Sequence, residues 1–408
     1  MVYSVNPLFP LILIFTQQQK IRISVIKTHQ KHKFSLPDNL TFLNMAYMSP
    51  QLKVSELVGM EGLTRKNNPT QFNRQYFFDD VDKLRATFGQ VINASAHQIA
   101  VIPSVSYGIA NVTNNINWKP NGEIICLTDQ FPSNYYSWQR AAKKENQKLK
   151  IIGPSASAPS RVSSWNQNIL ETITSDTSVV TMSHVHWADG SLYDLKQISQ
   201  HCQKHDVYLI IDGTQSVGAL PLDIKEIPVD ALIVGGYKWL LGHYGLGVAY
   251  YSERFNQGIP IEDNWINRKD SDDFQNLVNY QDQYREGAAR YSVGEQSNFI
   301  QVPVLQAGLE QILEWGVENI QSYCKELHKL LITNLSDTPY RVPAVGASSS
   351  HLTSIRISES LDMEEIKKVL TDNNIHVSYR GDAMRISFYV FNTEADVMKL
   401  VDVLGNLV

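Results

Sequence analysis

Between residues 98 and 252 the sequence alternates short, almost wholly apolar runs with helical segments. The runs are EIICLTD (123–129), LKIIGP (149–154), SVVTMSHV (178–185), VYLIIDGT (207–214), DALIVGGY (230–237) and LGVAYYS (246–252). A strand wetted on one side alternates apolar with polar residues. These runs do not, so both of their faces must be covered. Between the third and fourth, LYDLKQISQHCQKH sets Leu192, Leu195, Ile198 and Cys202 on one helical face, with Asp189, Gly190 and Ser191 as a start signal. This order predicts an α/β fold, a mostly parallel sheet sandwiched by helices. Ligands of such sheets bind beyond the carboxyl ends of the strands.

After residue 300 the pattern changes. Residues 302–335 read as one long helical segment, followed by TSIRIS, the helix DMEEIKKVLTDNN, IHVSYRG, AMRISFYVF and a last helix, TEADVMKLVDVLGN. That is a small C-terminal α+β domain over 300–408, beside a large domain over 36–299 whose first part could pack on it. Residues 1–35 are expected to be a disordered or misassigned extension outside the fold. Their apolar run, Leu8 to Phe15, is broken by Pro10 and falls short of the ~20 residues a membrane helix needs. No stable membrane association is expected.

A net charge of −5 and a pI near 6.1 give no basic footprint for nucleic acid. The three cysteines, Cys126, Cys202 and Cys324, are far apart and in no CxxC pair. They suggest neither a disulfide framework nor a metal site, and they fit a reducing, cytoplasmic location. His184 and His186 fall on opposite faces of a continuing strand, which argues against a zinc pair.

Lys238 lies between an apolar run and a glycine-bearing turn, where a buried ammonium costs several kcal/mol unless it has a task. Asp212 ends one apolar run and Lys238 the next. PSVSYGIANVTNNI (103–116) reads as a turn entering a helix. Singly, these are a capping aspartate, a solvated lysine and an N-cap. Together they meet the needs of pyridoxal 5′-phosphate. That cofactor takes a lysine amine for a Schiff base, a carboxylate against its pyridine nitrogen, and a helix N-terminus for its phosphate. Lys238, Asp212 and the Ser106–Tyr107 turn match these roles. Gly235 and Gly236 would let the backbone approach the cofactor closely.

Five segments in order, TFLNMAYMSP (41–50), SHVHWADGSLYDL (183–195), IDGTQSVGALPLDI (211–224), GGYKWLLG (235–242) and MRISFYVFNTEADVMKLVDVL (384–404), resemble class V aminotransferase-fold enzymes. That group includes cysteine desulfurases, selenocysteine lyases, kynureninases and isopenicillin N epimerase-like proteins. The resemblance spans about residues 38–405 and is nearer the epimerase-like branch. It implies the fold type I of pyridoxal-phosphate-dependent transferases. It implies that Lys238 holds the cofactor and moves the α-proton, that Asp212 pairs with the pyridinium, and that Gln215 bonds the phenolic oxygen. It places Ser106, Tyr107 and Tyr237 near the phosphate, Phe131 on the ring face and Trp187 beside the ring. Arg385 and Asn44 fall to the substrate, an amino acid or amine. A homodimer is implied, with RYSVGEQSN (290–298) reaching the neighbour's phosphate.

The departures narrow the chemistry. Phe131 stands where desulfurases stack a histidine, Tyr237 where a histidine precedes the lysine, Gly235 for a serine, and Trp187 for an asparagine. Phe391 takes a tyrosine's place. The Gly-Thr clamp is altered at Gly294–Glu295. IHVSYRGDAMRIS (375–387) has no cysteine, so a persulfide-forming desulfurase is disfavoured. Aminotransfer, epimerisation and lyase chemistry stay open, as does a non-catalytic cofactor-binding role. Nicotinamide chemistry is disfavoured, since GHYGLG (242–247) has the wrong spacing and enters a strand. His243 is a candidate substrate contact.

Overall fold

The computed structural model describes residues 26, 28–155, 160–358, 361–381 and 383–408. Seven strands form the main sheet: β1 Ile99–Ile102, β2 Glu123–Leu127, β3 Lys148–Ile152, β4 Thr177–Ser183, β5 Tyr208–Asp212, β6 Ala231–Gly235 and β7 Gly247–Tyr251. Their spatial order is β1-β7-β6-β5-β4-β2-β3. All run one way except β7, which is antiparallel to both β1 and β6. Six of the strands were expected. β1, only IAVI, was not.

The sheet is apolar on both faces because successive side chains enter different cores. Leu209 and Ile211 of β5 join one hydrophobic cluster, while Tyr208 and Ile210 join another on the opposite face. The first cluster also takes Trp165 and Ile169 of α5 (Arg161–Thr172) and Ile198 and Cys202 of α6 (Leu195–Lys204). The second takes Ile109 and Val112 of α3 (Val105–Thr113) and Trp138 of α4 (Ser133–Lys144). The start of α6 differs from expectation. Asp194 caps it by accepting from the Gln197 N–H at 3.0 Å, whereas Asp189 bonds His186.

The expected long helix is two. Gly316 has φ +77°, and it separates α7 (Gln301–Trp315) from α8 (Val317–Leu335). α7 packs on α1 (Lys53–Arg65) and α2 (Asp79–Ile92) of the larger lobe. The smaller lobe is an antiparallel sheet of β8 (Leu352–Ile357), β9 (Ser378–Arg380) and β10 (Ala383–Ser387), with Tyr340–Arg341 at one edge. It is completed by α8, α9 (Met363–Asp372) and α10 (Glu394–Gly405). Thr41–Phe42 pairs in parallel with Ile375–His376, tying the early chain to this lobe.

The fold also begins earlier than residue 36. Phe34 is 3% exposed, bridges to Leu52 and packs against Trp315 and Phe391, so burial of its ring draws the preceding turn into the core. The expectations for residues 1–25 lie outside the described residues. No helix among the described residues is long and apolar enough to cross a membrane.

Candidate active site

Parallel pairing brings the ends of β4, β5 and β6 together. Ser183 lies opposite Asp212, and Asp212 opposite Ile233, two residues before Gly235. The chain then turns tightly through Lys238. The Leu241 N–H donates to the Lys238 carbonyl at 3.0 Å and the Gly242 N–H to Gly236 at 2.9 Å. Leu241 has φ +60°, uncommon for a side chain branched beyond Cβ, and marks how constrained the loop is. A Cβ on Gly236 would sit 2.6 Å from the Leu246 carbonyl. Glycine is needed there for the turn to lie against its own chain.

A cavity of about 250 Å³ opens over these strand ends. It is walled by eight residues singled out from sequence: Ser106, Phe131, Trp187, Asp212, Gln215, Gly235, Tyr237 and Lys238. Tyr107, Arg385 and Asn44 are not in its wall. Lys238 is 8% exposed, and its side-chain amine has no hydrogen-bond partner among the described residues. Its amine stands 5.3 Å from the Tyr237 ring centre and 5.9 Å from that of Phe131. Burial, then the positive charge of Arg385, lowers its pKa to about 8, although Asp212 pulls the other way. Burial raises Asp212 above the usual carboxylate range, against its bond from the Thr214 N–H at 3.0 Å and the attraction of Lys238.

The helix begins within the expected turn, at Val105. Ser104 caps α3, its Oγ accepting from the Tyr107 N–H at 3.2 Å and lying 3.0 Å from Ser106 Oγ. The first-turn amides at Val105 and Ser106 have no acceptor within the helix. Tyr107 offers neither of its donors to the cavity. Its amide is taken by Ser104, and its hydroxyl donates to Glu262 at 2.9 Å. Glu262 also accepts from the Gly294 N–H at 3.1 Å. Gly294, in the segment expected to reach a neighbour's phosphate, thus has its amide bonded within its own chain.

Arg385 on β10 is 1% exposed. One Nη donates to the Trp187 carbonyl at 2.7 Å, the other to Ser378 Oγ at 3.1 Å, and Nε has no partner. Burial, then Arg380, pushes its pKa down to about 9. Asn44 accepts a hydrogen bond from Ser378 and donates to the Val377 carbonyl at 3.5 Å. It therefore backs the residue that holds Arg385 instead of facing the cavity. Trp187 is fixed by its indole N–H to the Asp129 carbonyl at 2.7 Å and meets Phe131 edge-on at 5.4 Å.

Of the wall residues that were not foreseen, three bear on the chemistry. Ser183 Oγ and Gln130 Nε2 are fully buried without partners, and both residues line the cavity. Thr214 also lines it, its hydroxyl accepting from the Gly235 N–H at 3.1 Å. Ser183 was readable as the last residue of a strand beside Asp212. Gln130 carried no signal of its own. His184 and His186 are buried outside the wall, and His243 is exposed beside Tyr244, which is in the wall. The three cysteines are buried, with the Cys126 thiol pushed up to about 12 by burial and the other two higher still. Among the described residues no cluster of His, Cys, Asp or Glu could hold a metal ion.

A family model, aminotransferase class-V, matches residues 64–400, most of the chain. The chain belongs to the class V aminotransferases. As a member it is a pyridoxal-phosphate-dependent enzyme of fold type I. It is 25% identical over 324 residues to an uncharacterised aminotransferase, YcbU, of Bacillus subtilis, covering 78% of this chain and 81% of that protein. It is 23% identical over 343 residues to a probable cysteine desulfurase of Pyrococcus abyssi, covering 80% and 83%. A variant of C-DES with glycine covalently linked to its PLP cofactor superposes with a TM-score of 0.83, at 20% identity, over 93% of this chain and all of that one. The cysteine desulfurase CsdA of Escherichia coli gives 0.78 at 18% identity, over 92% and 97%. This class V enzyme therefore has relatives with more than one activity.

Proposed function

We propose that this class V enzyme acts on an α-amino acid or amine, with Lys238 both carrying the cofactor and serving as the base at the substrate's α-carbon. The observation that carries the reading is the amine itself. It is buried, unpartnered and lowered to about 8, in one cavity with the Asp212 carboxylate. The wall fits pyridoxal phosphate. Lys238 would take its aldehyde, Asp212 its ring nitrogen, Phe131 and Trp187 its ring, and the α3 N-terminus with Ser106 its phosphate. The buried orphan atoms of Ser183 and Gln130 support a polar occupant. When bound, the cofactor draws electrons away from the substrate's α-carbon. Lys238 would take the proton from the substrate's α-carbon. Arg385 would hold the substrate carboxylate through donors not used by Trp187 and Ser378, after a side-chain movement that opens it to the cavity.

Adding amino acids one at a time to the holoenzyme should shift its visible absorption band for the substrate class, with turnover giving a 2-oxo acid or a racemised product. A panel of amino acids and amines that leaves the band untouched would favour the non-catalytic reading.

A second reading is C–S lysis without an enzyme thiol. One matched structure is a complex between the cystine C–S lyase C-DES and cysteine persulfide, with a TM-score of 0.81 and 22% identity over 91% of this chain. The inert, buried cysteines here fit such a route better than persulfide formation on the enzyme. Cystine turned over with release of pyruvate, and free cysteine left intact, would select it.

A homodimer is also proposed. One face of α1 packs on α7, while Val54, Leu57, Met60 and Leu63 stay exposed, Leu57 at 72%. Sedimentation should give twice the 46.2 kDa chain mass, and Leu57→Glu should shift the protein toward monomer. A monomeric wild type would end this proposal. The unpaired thiols fit a cytoplasmic location.

A further inference from the structure

Gln215 is held from three sides. Its amide nitrogen donates to the Ala46 carbonyl at 3.0 Å, and its amide oxygen accepts from the Trp239 indole N–H at 2.9 Å. Its backbone carbonyl lies 2.7 Å from His351 Nε2 of the smaller lobe. The orientation of this amide is forced. An indole N–H only donates and a carbonyl only accepts, so the oxygen must face Trp239 and the nitrogen Ala46. The –NH2 group has a second hydrogen, and Gln215 is part of the cavity wall. Trp239 is fully buried and meets the His351 ring edge-on at 4.6 Å, which fixes its N–H in turn. It directly follows Lys238, so one rigid loop carries both the amine and the donor that orients the amide.

We propose that Trp239 is a positioning residue. Its N–H locks Gln215 so that the free amide hydrogen faces the cavity and donates to the ring oxygen of the lysine-bound cofactor. This rests on the cofactor placement proposed above. A donor facing that oxygen favours its ionised form, whereas a freed amide could turn and present its own oxygen, with the opposite effect. Trp239, acting through Gln215, therefore sets the pH at which the visible band of the lysine-bound cofactor titrates.

The test is a pH titration of that band in the wild-type holoenzyme, Trp239→Phe, Gln215→Ala and the double variant. Trp239→Phe should raise the apparent pKa by about one unit, and so should Gln215→Ala. In the double variant, Trp239→Phe should add nothing to the shift from Gln215→Ala, because its effect runs through the amide. Equal shifts from Trp239→Phe in both backgrounds, or none in either, would overturn the proposal in favour of simple packing. Should Trp239→Phe not fold, benzothienylalanine at position 239 keeps the shape and removes only the N–H. The same rise is expected there, and an unchanged pKa overturns the proposal. A wild type with no visible band would overturn the cofactor placement itself. A band that shifts in Gln215→Ala but titrates in Trp239→Phe as in the wild type would overturn only the role of Trp239, and one unchanged in Gln215→Ala as well would overturn the contact of Gln215 with the ring oxygen.

Discussion

Lys238→Ala lowers turnover at least about 10³-fold, because it removes both the covalent attachment and the base at the α-carbon. The fold should persist. The loop is closed by backbone bonds at Gly236 and at the Lys238 carbonyl, which the substitution keeps, and no hydrogen bond of the amine is lost. The wild-type amine adds a pH signature. Only the neutral amine attacks an aldehyde. Burial and Arg385 lower its pKa from 10.5 to about 8, so the neutral fraction grows as pH rises through that value. Stopped-flow reconstitution of apoenzyme should therefore speed up with a midpoint near pH 8. A midpoint above 10 would mean that the amine is solvated and the cavity misread. Turnover within threefold of wild type in Lys238→Ala would remove the lysine from the chemistry.

Asp212→Asn separates binding from catalysis. Asparagine has the same size, and its amide oxygen can still accept from the Thr214 N–H, which now bonds the carboxylate at 3.0 Å. Folding and cofactor capture should survive. What is lost is the negative charge against the ring nitrogen. Buried groups aimed at developing charge typically contribute about 10²–10³-fold in rate. Asp212→Asn should therefore retain the visible band and lose roughly that factor in kcat, measured under saturating substrate. Full activity in this variant would mean that Asp212 serves the β5 turn and no more.

What could be read from sequence followed the physics of each feature. Strands buried on both faces declare themselves by unbroken apolar runs, so β2 and β4 to β7 were visible; β3 was read from its apolar residues too, but as the edge strand it is part-exposed, with Ile151 at 45%. β1 was not, since four apolar residues have no period to recognise. The reversed direction of β7 is set by tertiary pairing with β1 and β6 and leaves no local trace. A cap position was misjudged where several polar residues competed. Asp194 was preferred over Asp189, because its side chain, three residues before the open Gln197 N–H, reaches it. Lys238 and Asp212 stood out because charges ending apolar strands are costly without a task. Ser183 and Gln130 did not, because their significance is that nothing in the chain bonds them. Arg385 was legible in its motif, but its bond to the Trp187 carbonyl depends on the meeting of two lobes, whereas Ser378 lies opposite it on β9.

The most direct test is to reduce the holoenzyme with borohydride, digest it and map the cofactor by mass. The account predicts one modified peptide, with the cofactor's mass on Lys238 and the visible band gone. A cofactor mass on another lysine, or none on any, would contradict it.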